Sequence, residues 1–543
     1  MLIVLNKKWP AFSWLLSFLL FLPLLAIIWQ SFGDDGNVFA ELWQSVLPDY
    51  MLNTLLVVVS VGALSMFIGV PIAWLVAMCQ FPMRKFFVWG MLLPLAMPSY
   101  VVAFVYTDLL EYAGPIQSGL RELFGWKTAQ DYSFFDVRTW FGASVMLALV
   151  LYPYVYLLAR TAFLEQSQSL TQSARLLGAN AWQSFWRISL PLARPAIAVA
   201  VALVAMESLA DFAVVNYFAV PTLTTAVYDT WLGYGSLAAA ARLSALMLAV
   251  LFVLIALERV GRAKQRHYQR SDSREPVIRH QLTGAKKWLA SSLCLVVFMA
   301  GFGVPFISLI NMAIDYFDVS WNQEFLDYSI NSLLLAVTVS LVCLFIAIIL
   351  GYFKRLSSSK YADIAPKLAS TGYALPGTVL AIGVIIPLTL FDHSINEFFD
   401  SLGMAGPGLL LSGTVFAIAA GYTVRFCAIA IGSVESSFNK ISPSIDMVTL
   451  TLGRSPLGML FKVHLPLIKK GCFAALLLVF IESMKELPAA LLLRPFNYET
   501  LATYVYQFVS DEQLEHGALA AIVIVLVGLI PLIFLNRSLE QQQ

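Results

Sequence analysis

The sequence predicts an all-α membrane protein with about twelve transmembrane helices, arranged as two tandem six-helix domains. Three observations lead to this prediction: the composition, a series of long apolar runs, and an internal repeat. Of the 543 residues, 59% are hydrophobic and only 12% are charged, whereas about a quarter of a soluble domain is charged. Too few polar residues are present to cover a water-soluble surface. The net charge of +1 gives no electrostatic reason to expect a nucleic acid as partner.

Twelve apolar runs are long enough to cross a bilayer, which takes about 20 residues of helix. The runs do not alternate as the strands of a membrane β-barrel do, so helices that satisfy their own backbone are expected. The first run follows Lys7 and Lys8 without a clear cleavage site, so it is expected to be retained. The predicted spans are residues 12–32, 53–79, 86–108, 141–164, 194–219, 236–257, 288–312, 331–352, 368–390, 409–431, 472–493 and 517–535.

The distribution of Lys and Arg predicts that both termini are cytoplasmic, because basic loops stay inside. Three loops carry acidic residues and neither Lys nor Arg, and they are expected outside: 33–52, 313–330 and 391–408. The connection at 258–287 has nine basic and three acidic residues, as a cytoplasmic linker would. The loop at 109–139 has mixed charge. Because successive loops alternate between the two sides of the membrane, it is expected on the outer side.

The chain repeats itself. Residues 50–56 match residues 328–334 at an offset of 278, and residues 207–208 match residues 482–483 at an offset of 275. Each half holds six predicted spans, so the halves form a parallel repeat, expected to be related by a pseudo-two-fold axis along the membrane normal. The predicted division is a first domain at 1–258, a basic linker at 259–287 and a second domain at 288–543.

The segment between the fourth and fifth spans has the same pattern in both halves. It reads Gly, nine residues, Ile or Val, one residue and Leu-Pro, from Gly178 to Pro191 and from Gly453 to Pro466. Glycine suits a left-handed helix end, and proline suits the first turn of a helix. We therefore predict a helix, a sharp turn and a short amphipathic helix before the fifth span.

This spacing resembles the EAA loop of ABC-importer permeases: Glu-Ala-Ala, three residues, Gly, nine residues, Ile, one residue, Leu-Pro. The triplet itself is degenerate here, since residues 172–174 are Gln-Ser-Ala and residues 447–449 are Met-Val-Thr. The resemblance implies that each loop forms a coupling helix that docks on an ATPase subunit. The implied coupling residues are Ala174, Gly178, Ile188, Leu190, Pro191, Thr449, Gly453, Val463, Leu465 and Pro466.

The resemblance covers essentially the whole chain. Two stretches narrow it to fused double-length ferric iron permeases: residues 207–228 and 482–503. It implies a multi-pass permease of the bacterial inner membrane. Its implied partners are a periplasmic binding protein that delivers ferric iron and two copies of a cytoplasmic P-loop ATPase. Permeases for thiamine, polyamines or other small solutes share the architecture and remain alternatives. A secondary transporter driven by an ion gradient is a remote alternative, because it has no need of two such loops.

The sequence contains no Gly-x-x-x-x-Gly-Lys-Ser/Thr motif, the loop that cradles ATP phosphates. ATP hydrolysis is therefore expected from separate subunits, and the chain is expected to be a transport subunit rather than an enzyme. No catalytic residue, cofactor or fixed metal site is predicted.

Four carboxylates on the fifth and eleventh spans are the candidates for the path of the cargo. Each half has two of them at positions i and i+4, which share one face of a helix. Ionisable residues inside spans are costly and tend to be functional, and a hard cation takes oxygen ligands. The alternative is a structural ion pair with Lys485 or Arg494. The candidates are Glu207, Asp211, Glu482 and Glu486.

Overall fold

A computed structural model of the chain confirms an all-helical membrane fold. It describes residues 8–166, 178, 180–265, 279–357 and 361–540. Within these residues, ten helices are long and apolar enough to cross a membrane, or eleven when one helix pair bent by 93° is counted as one span. A shorter apolar helix follows at Leu514–Ile530.

Twelve helices correspond in order to the twelve predicted spans. The third is the second arm of the bent pair. They are α1 (Lys8–Gln30), α2 (Leu47–Met78), α3 (Ser99–Leu110), α4 (Trp140–Leu164), α5 (Leu190–Ala210), α6 (Leu237–Gln265), α7 (Ala285–Asp315), α8 (Gln323–Leu356), α9 (Gly377–Ser401), α10 (Val415–Asn439), α11 (Leu465–Lys485) and α12 (Leu514–Glu540).

Shorter elements connect them. The short α-helices are Val38–Ser45, Arg84–Gly90, Pro115–Phe124, Ala181–Ser184, Ala213–Tyr217, Leu223–Leu232, Phe317–Ser320, Ile364–Ala369, Pro443–Thr451, Pro456–Met459, Pro488–Leu493 and Leu501–Ser510. Turns of 3₁₀ helix lie at Leu93–Ala96, Ala129–Asp131 and Thr371–Ala374, and π turns at Phe185–Ser189, Met299–Gly303 and Leu460–His464. Two short parallel strands pair, β1 (Cys79–Gln80) and β2 (His280–Gln281).

The chain folds as two compact units, and each unit joins stretches that are distant in sequence. One comprises Met1–Leu42, Ala226–Leu246 and Asn322–Tyr504, and we call it unit 1. The other comprises Trp43–Thr225, Met247–Trp321 and Val505–Gln543, and we call it unit 2. The predicted division at the basic linker describes the duplication of the sequence, and it stays a prediction.

Unit 1 is organised by the packing of α1 on the helices of the second half. A Cβ built on Gly383 of α9 would lie 2.7 Å from the carbonyl oxygen of Pro23 and 2.9 Å from the Cδ1 atom of Ile27. Glycine therefore allows the two backbones to approach closely, as small residues do between membrane helices. At the other end of α1, Trp9 and Trp14 pack against a buried cluster of Phe353, Ala362 and Ala365.

Unit 2 has the same kind of close contact. A Cβ on Gly69 of α2 would lie 3.0 Å from the carbonyl oxygen of Tyr152 on α4. The phenol of Tyr106 donates a 2.6 Å hydrogen bond to the carbonyl oxygen of Ala300, which joins α3 to the π turn inside α7. Unit 2 thus includes α7, the first helix of the second half.

The repeat is visible in equivalent hydrogen bonds within the two units. In unit 2, the backbone N–H of Leu223 donates to Thr54 Oγ1 at 2.9 Å. In unit 1, the N–H of Leu501 donates to Ser332 Oγ at 2.7 Å. Leu501 lies 278 residues after Leu223, and Ser332 lies 278 residues after Thr54. This is the offset of the matching sequence segments. Each hydroxyl satisfies a free N–H at the start of a short helix.

Replacing Gly383 by Val tests the packing of α1 in unit 1. The side chain would overlap the backbone of Pro23, and such overpacking costs about 1–3 kcal/mol. We expect a lower melting temperature of the purified protein and lower accumulation in the membrane. Gly432→Val is the matched control, because nothing lies within 4 Å of a Cβ there. Equal melting temperatures for both variants would contradict this packing.

Candidate functional site

The second of the two Gly-to-Leu-Pro loops has the predicted glycine turn. The helix Pro443–Thr451 ends with Gly453 at a φ of 73°. The N–H of Gly453 donates to the carbonyl of Leu450 at 2.9 Å, and that of Arg454 to Thr449 at 3.3 Å. This pair of bonds is the Schellman helix end. The left-handed turn predicted at Gly453 is therefore confirmed.

In the first loop, Gly178 is the described residue at the corresponding position. Gly178 has a φ of 81°, again in the left-handed region that favours glycine. Ala174, named with it as a coupling residue, lies outside the described residues. At both glycines, no atom of the described residues lies within 4 Å of an added Cβ. The requirement for glycine at these positions comes from the backbone conformation alone.

The predicted separate amphipathic helix is wrong in one respect: no break precedes the fifth span in either copy. The helix runs through Pro191 and Pro466 without interruption, over Trp182–Ala210 and Pro456–Lys485. A π turn precedes each Leu-Pro pair, and the Leu N–H bonds to the carbonyl five residues earlier. Proline lacks an N–H and crowds the preceding turn. The wider π turn accommodates proline inside one continuous helix.

The apolar motif residues other than proline contribute little to the exposed surface of the loops, whereas Gly178, Gly453 and Pro466 are exposed. Ile188, Leu190, Val463 and Leu465 are half-buried, and Thr449 is buried. Seven other apolar residues are each more than half exposed, and the sequence pattern did not identify their face. They are Trp182, Trp186, Met447, Val448, Leu452, Leu457 and Phe461.

A buried ion-pair network fixes the second loop to α8. Arg355 donates from Nε to Asp446 Oδ2 at 2.9 Å and from Nη2 to Oδ1 at 3.1 Å. The Nε2 atom of His464 lies 2.8 Å from Asp446 Oδ1. Such two-pronged pairs hold a defined geometry. The network, here called the Arg355 clamp, therefore joins α8, the helix Pro443–Thr451 and the π turn that precedes α11.

Tyr352 extends the clamp one turn earlier on α8. Its hydroxyl donates to the carbonyl of Pro456 at 2.5 Å, and its ring packs edge-on to His464, with centroids 5.5 Å apart. The sequence pattern identified neither Arg355 nor Asp446 as a structural partner. A single acid in a basic loop was the available signal. The first copy has Ala77 and Ser189 at the positions of Arg355 and His464.

In each copy the helix stops at the second carboxylate of the candidate pair. Asp211 has φ −69° and ψ 127°, and Glu486 has φ −67° and ψ 122°. Both are extended, one residue past the helix, so the predicted shared helix face is wrong for these two residues. The reason is local: Asp211 Oδ1 accepts the N–H of Val214 at 2.9 Å, and Glu486 Oε1 accepts that of Ala489 at 3.2 Å. Each carboxylate caps the next short helix.

The carboxylate of unit 2 has neutral hydrogen-bond donors. Ser99, the first residue of α3, donates from Oγ to Asp211 Oδ2 at 2.7 Å. The hydroxyl of Thr224 donates to the carbonyl of Asp211 at 3.1 Å. Glu207, one turn earlier on α5, is half-buried. Unit 2 thus holds the carboxylate of Asp211 at the helix break by hydroxyl and backbone donors.

The equivalent carboxylate of unit 1 has a cationic partner. Glu486 Oε2 lies 3.1 Å from Arg425 Nε, and these side chains are 6% and 15% exposed. Gly377 stands where unit 2 has Ser99, and a Cβ there would lie 2.8 Å from Glu486 Oε1. Glycine therefore leaves room for the larger acid. Tyr422 donates to the carbonyl of Glu486 at 2.9 Å.

The other acid of unit 1 is accessible. Glu482 is 42% exposed, and its Oε1 lies 3.4 Å from the Nζ atom of Lys485, one of the two cations named beforehand as a structural partner. The other, Arg494, pairs with Glu499 instead. Sequence reasoning missed Arg425, because it lies on a different helix from the acid that it neutralises.

Comparison with known proteins matches this chain to membrane components of transport systems. Residues 69–269 match the family described as "Binding-protein-dependent transport system inner membrane component". The chain is 26% identical over 523 residues to the Fe(3+)-transport system permease protein FbpB 2 of Haemophilus influenzae, covering 95% of each chain. It is 24% identical over 556 residues to the ferric transport system permease protein FbpB of Actinobacillus pleuropneumoniae, covering 96% of this chain and 76% of the relative. It is 30% identical over 232 residues to the molybdenum transport system permease protein ModB of Escherichia coli, covering 41% of this chain and 96% of the relative.

Arg355→Met tests whether the Arg355 clamp holds the loop. The change leaves Asp446 buried without its bidentate partner, and breaking a buried pair costs about 3–5 kcal/mol. We expect hydrogen–deuterium exchange of the amides at 443–452 to accelerate by roughly 100-fold or more. Lys440→Met, which removes an exposed cation of the same loop, is the control. Unchanged exchange in Arg355→Met would rule out the clamp.

Proposed function

Because the chain belongs to the family of binding-protein-dependent inner membrane transport components and is a multi-pass permease, we propose that it imports ferric iron with energy from ATP. One observation carries the choice of cargo: acids line each helix break. The two relatives that match almost its whole length are named as ferric permeases. We further propose that a periplasmic binding protein delivers the iron.

A cation fits the helix breaks better than an oxyanion does. An oxyanion is the second candidate cargo. The relative named as a molybdenum permease favours it, and that match covers 41% of the chain. Carboxylates repel an oxyanion, whereas hard cations take oxygen ligands. Of the candidates Glu207, Asp211, Glu482 and Glu486, the first three support ferric iron as cargo, whereas the charge of Glu486 is balanced by Arg425.

We propose that each cytoplasmic loop docks one ATPase subunit, two in all. The exposed apolar side chains support this, because apolar residues that remain exposed mark contact surfaces. They include Trp182 and Trp186 on the first loop, and Met447 and Leu452 on the second. The excess of Lys and Arg in these loops supports their cytoplasmic side, and with it the cytoplasmic position of both termini.

Transport by the reconstituted system tests this function. The chain, its ATPase and its binding protein are placed in proteoliposomes with ATP inside. We expect ATP-dependent uptake of radioactive ferric iron, and no uptake of molybdate or thiamine. Iron uptake driven by an ion gradient without ATP would favour a secondary transporter and overturn the proposal.

The double variant Gly178→Val/Gly453→Val tests coupling through the loops. Its side chains meet no neighbour, so the effect is backbone strain of about 1–3 kcal/mol. We expect iron uptake to fall by roughly ten-fold with normal accumulation, while ATP hydrolysis continues. Gly432→Val is the control, because Gly432 lies within a regular helix with nothing within 4 Å of a Cβ. Normal uptake in the double variant would contradict a role in coupling, and misfolding would mean that the glycines only cap helices.

Neutral substitutions separate the path from structural ion pairs. We expect Glu207→Gln and Glu482→Gln to accumulate normally and to lower iron uptake at least ten-fold, because each loses a charge near the passing ion. Glu486→Gln leaves Arg425 buried and uncompensated, so we expect poor accumulation. The double variant Arg425→Met/Glu486→Gln removes both charges but keeps a side-chain acceptor for the N–H of Ala489, so it restores accumulation if the pair is structural. Normal uptake in Glu207→Gln and Glu482→Gln would remove both residues from the path.

A further inference from the structure

Three arginines meet in unit 2 at the ends of helices that the charge pattern places in the cytoplasm. Arg84 begins a short helix, Arg160 lies in the last turns of α4, and Arg279 directly precedes β2. Arg160 is 1% exposed and Arg84 is 8% exposed, whereas Arg279 is half-buried. The charges of Arg160 and Arg279 both act on Arg84. We call these three residues the arginine cluster.

Backbone contacts hold the cluster together. Arg84 donates from Nε to the carbonyl of Val76 at 2.8 Å, which fixes it to the end of α2. Tyr156, one turn before Arg160, donates from its hydroxyl to the carbonyl of Val88 at 3.0 Å. The pairing of β1 with β2 holds Arg279 at the end of α2 as well. Three separate segments are thus fixed around one point.

The cluster lacks compensating groups among the residues that the structure describes. Four buried nitrogens have no hydrogen-bond partner there: Arg84 Nη2, Arg160 Nε, Arg160 Nη2 and Arg279 Nε. None of the three arginines forms an ion pair with a described acid. Burial, and next the charge of Arg160, lower the pKa of Arg279. Buried charges need a partner, because desolvation without one is strongly unfavourable.

The second copy differs at one of these positions. Residue 435, which corresponds to Arg160 by the offset of 275, is a glutamate. Glu435 pairs with Lys354 of α8. The first copy thus has a base where the second has an acid, and among the described residues no hydrogen-bond acceptor reaches Nε or Nη2 of Arg160.

We propose that the arginine cluster binds a phosphate group. Guanidinium groups match phosphate oxygens in two-pronged pairs, and the four free N–H nitrogens are the donors for them. Arg279 is half-buried and forms the more exposed edge of the cluster. Exposed Trp288, with Lys286 two residues before it, follows on α7. Aromatic and basic residues in this order are typical of the membrane interface, and this favours an anionic phospholipid over free phosphate as the source.

Native mass spectrometry of the purified protein in mixed micelles tests the proposal. The probes are phosphatidylglycerol, phosphatidylcholine and inorganic phosphate. We expect phosphatidylglycerol to be retained in preference, and each of Arg160→Gln and Arg279→Gln to reduce its retention by roughly 5-fold. Arg194→Gln, which changes an exposed arginine near the cytoplasmic end of α5, is the control and keeps the retention of the unmodified chain.

Thermal melting distinguishes the sources and the failure of the proposal. Stabilisation by phosphatidylglycerol that requires Arg160 and Arg279 identifies the lipid. Stabilisation by inorganic phosphate with the same requirement identifies free phosphate, and it supports the site. If neither probe stabilises the protein and Arg160→Gln raises its melting temperature, the cluster is only a buried charge and the proposal fails. Should Arg160→Gln not accumulate, Arg279→Gln at the accessible edge provides the same comparison.

Discussion

In a membrane, a helix can stop only where its freed backbone groups find partners, because lipid offers none. The break after α5 and the break after α11 both meet this constraint with an acid. The carboxylate of Asp211 or Glu486 accepts an N–H of the following short helix. One carboxylate therefore both terminates one helix and starts the next. The positions of the neighbouring short helices depend on these two carboxylates.

Duplication kept this arrangement and changed the way in which its charge is balanced. Unit 2 uses the shorter Asp211 with the hydroxyl of Ser99. Unit 1 uses the longer Glu486, with Gly377 to make room and Arg425 to balance the charge. At the loop before α11, the second copy has the Arg355 clamp, whereas the first copy has Ala77 and Ser189 at the positions of Arg355 and His464. The two copies therefore share a backbone and differ in electrostatics.

The sequence predicted the features that depend on local pattern. Apolar length located all twelve helices, and the repeated Gly-to-Leu-Pro spacing located the left-handed turns at Gly178 and Gly453. Pairs from distant helices, such as Arg425 with Glu486, leave no periodic signal and were missed. The helix breaks were also missed, because a carboxylate that caps a helix has the same i,i+4 spacing as one that lies on its face. Which loop side chains remain exposed depends on tertiary packing.

The packing of α1 in unit 1 has a consequence for biosynthesis. α1 leaves the ribosome first, yet it packs on α9 through Gly383. Synthesis of the roughly 350 residues between these helices takes tens of seconds at ordinary rates of translation. During this time the nascent α1 is inserted without its permanent neighbour, so its apolar surface is covered by lipid or by a chaperone. Unit 2 also waits, because α12 is synthesised after its other helices. Neither unit is finished before the helices of the second half are made, so termination between the halves leaves two incomplete bundles rather than one finished half.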